Sequence, residues 1–133
     1  MQKRLVASST RYQAAAQFRT ALRHFLRKSE DVARTAGLTP RQYVLLLQIA
    51  AAPEGRTTVS ELVVKLALTQ SAVTELVQRA EQVGLVQRAA SARDGCVVHL
   101  SLTADGEDRL ARVHSALGPE RAELRRVMDE LDD

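Results

Sequence analysis

The chain changes its hydrophobic period near residue 85, and this change constrains the fold more than any other feature. Before it, threonines that begin the segments 58–66 and 69–83 predict two short capped helices, and Gly84 ends the second. After it, the segments 85–89 and 96–102 bracket a polar turn with an Asp-Gly pair, which predicts a β-hairpin. Two short helices joined by about three residues are typical of a helix-turn-helix.

Helical patterns flank this segment on both sides. Strong helix formers dominate residues 10–36, and a capping box at Thr39 opens an apolar helix that we expect at the buried centre. Thr103 begins a further helix, and Gly118-Pro119 separates it from a last one. The predicted fold class is mainly α (α+β), a winged helix-turn-helix with additional helices at both ends.

Composition sets limits on the class of protein. The 133 residues are 45% hydrophobic and 26% charged, which is ordinary for a globular domain. A chain of this length buries about two thirds of its unfolded surface, so it needs neither a disulfide nor a metal to hold a core. One cysteine excludes an internal disulfide, and no apolar stretch approaches the roughly 18 residues of a membrane span. We therefore expect a cytoplasmic protein with no membrane segment.

Charge is distributed unevenly along the chain. The first thirty residues contain seven of the 19 basic residues and one of the 16 acidic ones, whereas residues 100–133 contain five and nine. A basic protein with a net charge of +3 suits a polyanionic partner. A basic first helix and an acidic last helix also suit association between two copies of the chain. Charge alone leaves both interpretations open.

The helix that follows Thr69 has two contrasting faces. A turn of about 100° per residue directs one set of small and apolar side chains to the core, namely Ala72, Val73, Leu76, Ala80 and Val83. The opposite face has short amides and hydroxyls, namely Gln70, Ser71, Thr74 and Gln78. Such groups suit hydrogen bonding to base edges in a major groove. A helix face that is merely exposed to solvent has the same residue pattern. The preceding helix, the tight turn and the hairpin are the features that favour DNA binding.

The hairpin supplies a second candidate contact. Arg93 lies at its tip and Arg88 at its base. A two-stranded wing with these cations can lie along the phosphate backbone or place a cation in the minor groove. An exposed turn with ordinary arginines fits the same pattern equally well.

The order of elements and several motifs together resemble the MarR family of bacterial transcriptional regulators. The motifs are Thr-Val-Ser-Glu-Leu from residue 58, Thr-Gln-Ser-Ala-Val-Thr from 69, Gly-Leu-Val-Gln-Arg from 84, and Val-Val-His-Leu-Ser-Leu-Thr from 97. The resemblance implies one domain over residues 1–133. Within it, a winged helix-turn-helix lobe spans about 38–103, and dimerisation helices span about 8–36 and 104–133. It also implies a homodimer that binds a pseudo-palindromic operator and releases it when a small aromatic or phenolic effector binds between the two lobes.

The resemblance carries a set of DNA-binding positions onto this sequence: Ser60, Gln70, Ser71, Thr74, Gln78, Arg88, Arg93 and Asp94. Two positions depart from the family pattern. Wing tips in the family usually have Asp, one residue and then Arg, but here Asp94-Gly95 is followed by Cys96, so Arg93 is the candidate minor-groove cation. Glu75 stands where a basic residue is common, and an acidic side chain there should weaken non-specific DNA affinity.

Other chemistry-bearing residues do not form a recognisable site. His24, His99 and His114 lie on three different predicted elements, so we expect no metal site and no cofactor. Cys96 is expected to be partly exposed, and an inert thiol is favoured over a redox-active one. Four aromatic residues could line an effector cavity but are expected in an ordinary core, namely Tyr12, Phe18, Phe25 and Tyr43. No catalytic motif is present, so we expect no enzyme.

These features predict a dimeric, DNA-binding repressor. Packing of the first and last helices should hold two recognition helices about 34 Å apart, one turn of DNA. Basic residues of the first helix are expected to pair with acidic residues of the last helix across the dimer, with Arg19, Arg23 and Lys28 facing Asp129, Glu130 and Asp132. The alternative is a winged-helix dimer that acts as a protein-interaction module with weak or no DNA binding.

Overall fold

The computed structural model describes residues 2–91, 93 and 95–131. The chain forms helices α1 to α3 (Gln2–Thr35, Pro40–Ala51 and Val59–Leu66), α4 (Gln70–Gln82), strands β1 and β2 (Val86–Ala90 and Val98–Leu102), and helices α5 and α6 (Ala104–Ala116 and Gly118–Asp129). A single 3-10 turn, Pro53–Gly55, follows α2. This order confirms the predicted fold class. None of the described helices is long and apolar enough to cross a membrane.

Side-chain caps define the helix starts as the sequence predicts. Thr39 accepts from the Gln42 N–H, and the Gln42 side chain accepts from the Thr39 N–H, which completes the capping box. Thr58, Thr69 and Thr103 each accept a backbone N–H three residues later. The helix α1 is the exception, since it begins at Gln2 rather than at residue 10. Residues 2–9 lack the apolar spacing that predicts a helix, but once a helix is nucleated, addition of further residues is favourable.

The wing is a two-stranded antiparallel sheet. Its register pairs Val86 with Leu102 and Ala90 with Val98. Thr57, just before α3, forms an isolated bridge with Leu100, so the start of the helix-turn-helix is tied to the wing. Both strands start later than predicted, at Val86 rather than 85 and at Val98 rather than 96, and β1 ends at Ala90 rather than 89.

The core lies in the winged-helix lobe and is centred on α2. Leu45, Leu46 and Ile49 of this helix are completely buried, which confirms the predicted position of α2. Side chains from α3, α4, both strands and α5 surround it. Two apolar residues of α2 do not join this core: Val44 is 43% exposed and Leu47 is 38% exposed. They lie on a face of α2 that no described element covers completely.

One prediction about the core face of α4 is wrong. Val73 and Ala80 are buried as expected, but Val77 is buried and Val83 is 59% exposed. Val83 lies beyond the last helical residue, where Gly84 adopts a left-handed conformation with φ +77° and turns the chain toward the wing. The helical projection therefore no longer applies at residue 83.

The helices α1 and α6 pack against each other beside this lobe. Arg109 of α5 connects the two regions, because its guanidinium donates to the carbonyl oxygens of Ala36 and Gly37 just after α1. Of the apolar line expected on α6, Val127 is buried, Leu124 is half-buried and Leu131 is exposed. The expected apolar face of α1 is only half-buried along Phe18, Leu22, Phe25 and Val32.

Candidate nucleic-acid interface

The turn between α3 and α4 holds the second helix outward. Ala67 takes a left-handed conformation with φ +54°, so three residues are enough to reverse the chain between the helices. Leu68 packs on the core from within this turn, and Thr69 caps α4. Val73, Val77 and Ala80 then fix one side of α4 against the lobe. The opposite side must face solvent.

The sequence-predicted residues of α4 lie on that outer side. Gln70, Ser71 and Gln78 are exposed, and Thr74 is half-buried. Ser60 is exposed in the first turn of α3. Ser60, Gln70 and Ser71 lie near the N-terminal ends of two helices, where backbone N–H groups add positive potential, whereas Gln78 lies in the second half of α4.

An ion pair lies on the same helix. The Arg79 guanidinium donates to the Glu75 carboxylate at 2.7 Å, and both side chains are well exposed. Glu75 is therefore partly neutralised, which lessens the expected repulsion of phosphates. Sequence reasoning did not single out Arg79, although the spacing of four residues between Glu75 and Arg79 is the signal for such a pair.

The two wing arginines have different surroundings. Arg93 is exposed at the tip, where its backbone N–H donates to the Ser91 hydroxyl. Arg88 on β1 donates through Nε to Glu81 of α4 at 2.6 Å, so its charge is already engaged. Asp94 lies outside the described residues. Cys96 is exposed, and its reactivity stays a prediction.

A cavity of about 320 Å³ lies between the long helix α1 and the helix-turn-helix. Its lining is mainly apolar and comes from α1, α2, the α3–α4 turn and α4, with Leu26, Tyr43, Val44, Leu68 and Leu76 among the residues. Burial raises the pKa of the Tyr43 phenol, and the Arg121 cation acts weakly in the opposite direction. Tyr43 therefore stays protonated at neutral pH.

The other aromatic side chains differ from the expected ordinary core. Tyr12 is 74% exposed, so its predicted burial is wrong for the single chain. Phe18 and Phe25 are half-buried and line grooves along α1. The described part of the chain contains no group of three or more His, Cys, Asp or Glu residues that could hold a metal ion.

Comparison with known proteins relates part of this chain to a family. The sequence model described as "MarR family" matches residues 36–95, which contain α2, the helix-turn-helix and the first strand of the wing. Over these residues the chain is similar to the MarR family. Regulators of this family are not enzymes. A comparison of the sequence with curated proteins gives no match.

Solved structures of MarR-family and related proteins share the fold. A mutant of MepR from S. aureus bound to an oligodeoxyribonucleotide has a TM-score of 0.70 at 20% identity, over 84% of this chain and 81% of that one. A mutant of MarR from E. coli complexed with operator DNA has a TM-score of 0.67 at 22% identity, over 83% and 78%. AbsC from Streptomyces coelicolor has a TM-score of 0.67 at 21% identity, over 92% and 80%.

Proposed function

We propose that this chain is a sequence-specific regulator of transcription that binds double-stranded DNA. The observation that carries the proposal is the outward polar face of α4, held by a tight turn beside an arginine-tipped wing. The MepR and MarR structures in complex with DNA have the same fold and support this assignment.

The proposed contacts divide by chemistry. Gln70, Ser71, Thr74 and Gln78 read base edges in the major groove, where an amide pairs best with adenine. Ser60 binds phosphate at the start of α3, and Arg93, with Asp94 beside it, enters the minor groove. Arg88 is the last of the proposed DNA-binding residues.

The decisive experiment selects binding sites from random duplexes and measures affinity for the selected duplex by fluorescence anisotropy. We expect a Kd of about 10⁻⁸ M or tighter at physiological salt. Arg93→Ala and Gln70→Ala should each weaken binding about tenfold or more. Arg112→Ala, which removes an exposed arginine of α5, is the matched control and should bind like the wild type. Failure to select any duplex would favour the protein-interaction module instead.

A homodimer is proposed as the active form, with residues 38–103 as its DNA-binding lobe and 8–36 and 104–133 as its dimerisation helices. Half-buried apolar side chains along α1 and exposed ones such as Met128 on α6 support a second copy at this surface. A carboxylate oxygen of Glu120, buried beside the α1–α6 groove, has no hydrogen-bond partner among the described residues. Buried polar groups normally have such a partner. The dimer would set two copies of α4 about 34 Å apart, as a pseudo-palindromic operator requires.

Charge pairing across this dimer can be tested by reversal. Arg19, Arg23 and Lys28 are exposed, and no ion pair within the described chain engages them. Of their proposed partners, Asp129 and Glu130 are exposed, and Asp132 lies outside the described residues. Arg23→Glu should weaken the dimer in sedimentation, whereas Arg34→Glu, a reversal elsewhere on α1, should have little effect. Equal dimerisation of both variants would contradict the pairing.

We further propose that the protein is a repressor whose effector is a small aromatic or phenolic molecule. The cavity between α1 and the helix-turn-helix supports this proposal, because its volume of about 320 Å³ and its apolar lining with one phenol suit such a ligand. A simple phenol should release the selected duplex. Val44→Trp should fill the cavity and abolish that response while DNA binding persists. A response equal to that of the wild type would place the effector elsewhere.

A further inference from the structure

The junction between α4 and the wing contains an ion pair that the DNA-binding assignment does not explain. Arg88 is the third residue of β1, and Glu81 lies in the last turn of α4. The Arg88 Nε donates to Glu81 Oε1 at 2.6 Å, with the two side chains 40% and 27% exposed. Between them the chain turns through Gly84, whose φ is +77°. The ion pair therefore closes the short loop that joins α4, the proposed recognition helix, to the wing.

Backbone hydrogen bonds hold the wing at two places, the start of β1 and Leu100 of β2. The Thr103 N–H donates to the Leu85 carbonyl, and its hydroxyl donates to the Gly84 carbonyl at 2.5 Å. Thr57 and Leu100 exchange backbone hydrogen bonds, and Leu100 is paired with Arg88 across the sheet. Among the described residues, no backbone hydrogen bond joins β1 to α4 beyond Leu85. Arg88 acts three residues past Leu85, where a side-chain tie to α4 resists a tilt of the strands.

The length of the wing amplifies any tilt. Arg93 lies eight residues beyond Leu85, at most about 26 Å along an extended strand. A rotation of roughly 10° at the junction would move the tip by up to about 4 Å over that length. A shift of this size exceeds the reach of a hydrogen bond, so the position of Arg93 relative to α4 depends on the junction.

We propose that Arg88 is a positioning residue: with Glu81 it holds β1 of the wing against the recognition helix, in addition to the backbone bonds at Leu85 and Leu100, and it does not bind DNA phosphate. This inference rests on the proposed DNA-binding function and revises one position within it. Exposed ion pairs contribute little to global stability, so the expected effect of the pair is on wing orientation rather than on folding.

The first test needs no DNA. Glu81→Met and Arg88→Met remove either charge, and methionine is a good helix former with a flexible side chain. Both variants should keep the thermal midpoint of the wild type but exchange the amide hydrogens of Val86–Ala90 several-fold faster. Glu75→Met is the matched control, since it breaks an ion pair on the same helix without touching the wing. Unchanged wing exchange in both junction variants would overturn the proposal.

The second test measures affinity for the selected duplex across a salt series. If Arg88 is a positioning residue, Glu81→Met and Arg88→Met should weaken binding by a similar factor, about tenfold, and the double variant should be no worse than either. The charge swap Glu81→Arg with Arg88→Glu should recover most of the loss. The slope of log affinity against log salt should stay at the wild-type value in Arg88→Met.

A direct phosphate contact predicts the opposite pattern. Arg88→Met would then lower the salt slope by about 0.9, Glu81→Met would bind as well as the wild type or better, and the swap would not recover affinity. That result overturns the inference while DNA binding stands. If the wild type binds no duplex, the proposed function fails, and the exchange measurement still decides whether the ion pair orients the wing.

Discussion

The winged-helix lobe and the terminal helices α1 and α6 have very different interiors. The largest fully buried side chains of the described residues all lie from Leu38 to Leu117, outside both terminal helices. In contrast, only small residues are buried in the part of α1 whose burial is described, such as Ala33, and α6 buries only Val127. The lobe therefore has its own core, whereas the terminal helices retain apolar surface that a single chain does not cover.

This contrast separates stability from assembly. A residue in the core of the lobe contributes to folding whatever the protein concentration. A residue on the half-buried faces of α1 and α6 should contribute mostly when a second copy covers it, and its contribution then depends on concentration.

The strongest test of the lobe is removal of a central core side chain. Leu46 is completely buried in α2, so Leu46→Ala removes three carbons and leaves a cavity. We expect a loss of about 2–5 kcal/mol in the free energy of unfolding. Urea denaturation at two protein concentrations should give the same loss at both. A loss below about 1 kcal/mol would show that the core is less tightly packed than it looks.

The signals that predict the lobe are local, which explains why most of it can be read from the sequence. Threonine caps and a turn glycine are recognised within three or four residues, and each of the four predicted caps is present. Errors arise where neighbours distant in the sequence decide. Val77 is buried because the lobe covers a wider face of α4 than the projection predicts, and Val44 is exposed because nothing in the described chain covers that face of α2 completely.

The candidate site follows the same rule. The outward face of α4 is predictable from its period, since burial of the opposite face determines it. The Arg88–Glu81 pair crosses from a helix to a strand, and the Arg109 contacts span more than seventy residues, so neither has a sequence pattern. Dimerisation and operator choice depend on a second molecule and stay predictions.

The terminal helices α1 and α6 should respond differently from the core of the lobe. Phe25 is half-buried and lines the groove between α1 and α6. We expect Phe25→Ala to cost about 2 kcal/mol, from the apolar area that a second copy would bury. Sedimentation should show a weaker dimer, and the thermal midpoint should fall most at low protein concentration. If the loss of stability did not depend on protein concentration, Phe25 would behave like a core residue of the lobe. The contrast between the lobe and the terminal helices would then be wrong.

A glycine at the contact between α5 and the wing gives a third, smaller effect. A Cβ at Gly106 would meet the Leu85 carbonyl oxygen within a forbidden distance. Although alanine is the better helix former, Gly106→Ala should therefore destabilise the protein by about 1–3 kcal/mol. Gly118→Ala, where the Cβ meets only the distant end of Arg121, should be neutral or slightly stabilising in the same denaturation experiment. Stabilisation by Gly106→Ala would show that α5 can move away from the wing junction.

The smallest expected effect concerns the caps. Thr39 caps α2 beside the core, and Thr39→Ala leaves the Gln42 N–H without its acceptor. We expect a loss of about 1 kcal/mol in the free energy of unfolding, while Thr39→Ser should retain nearly all of the stability because its hydroxyl can still accept. Since the cap belongs to the lobe, this loss should not depend on protein concentration. A concentration-dependent loss would indicate that the second copy also fixes α2. The lobe and the terminal helices α1 and α6 would then fold as one cooperative unit.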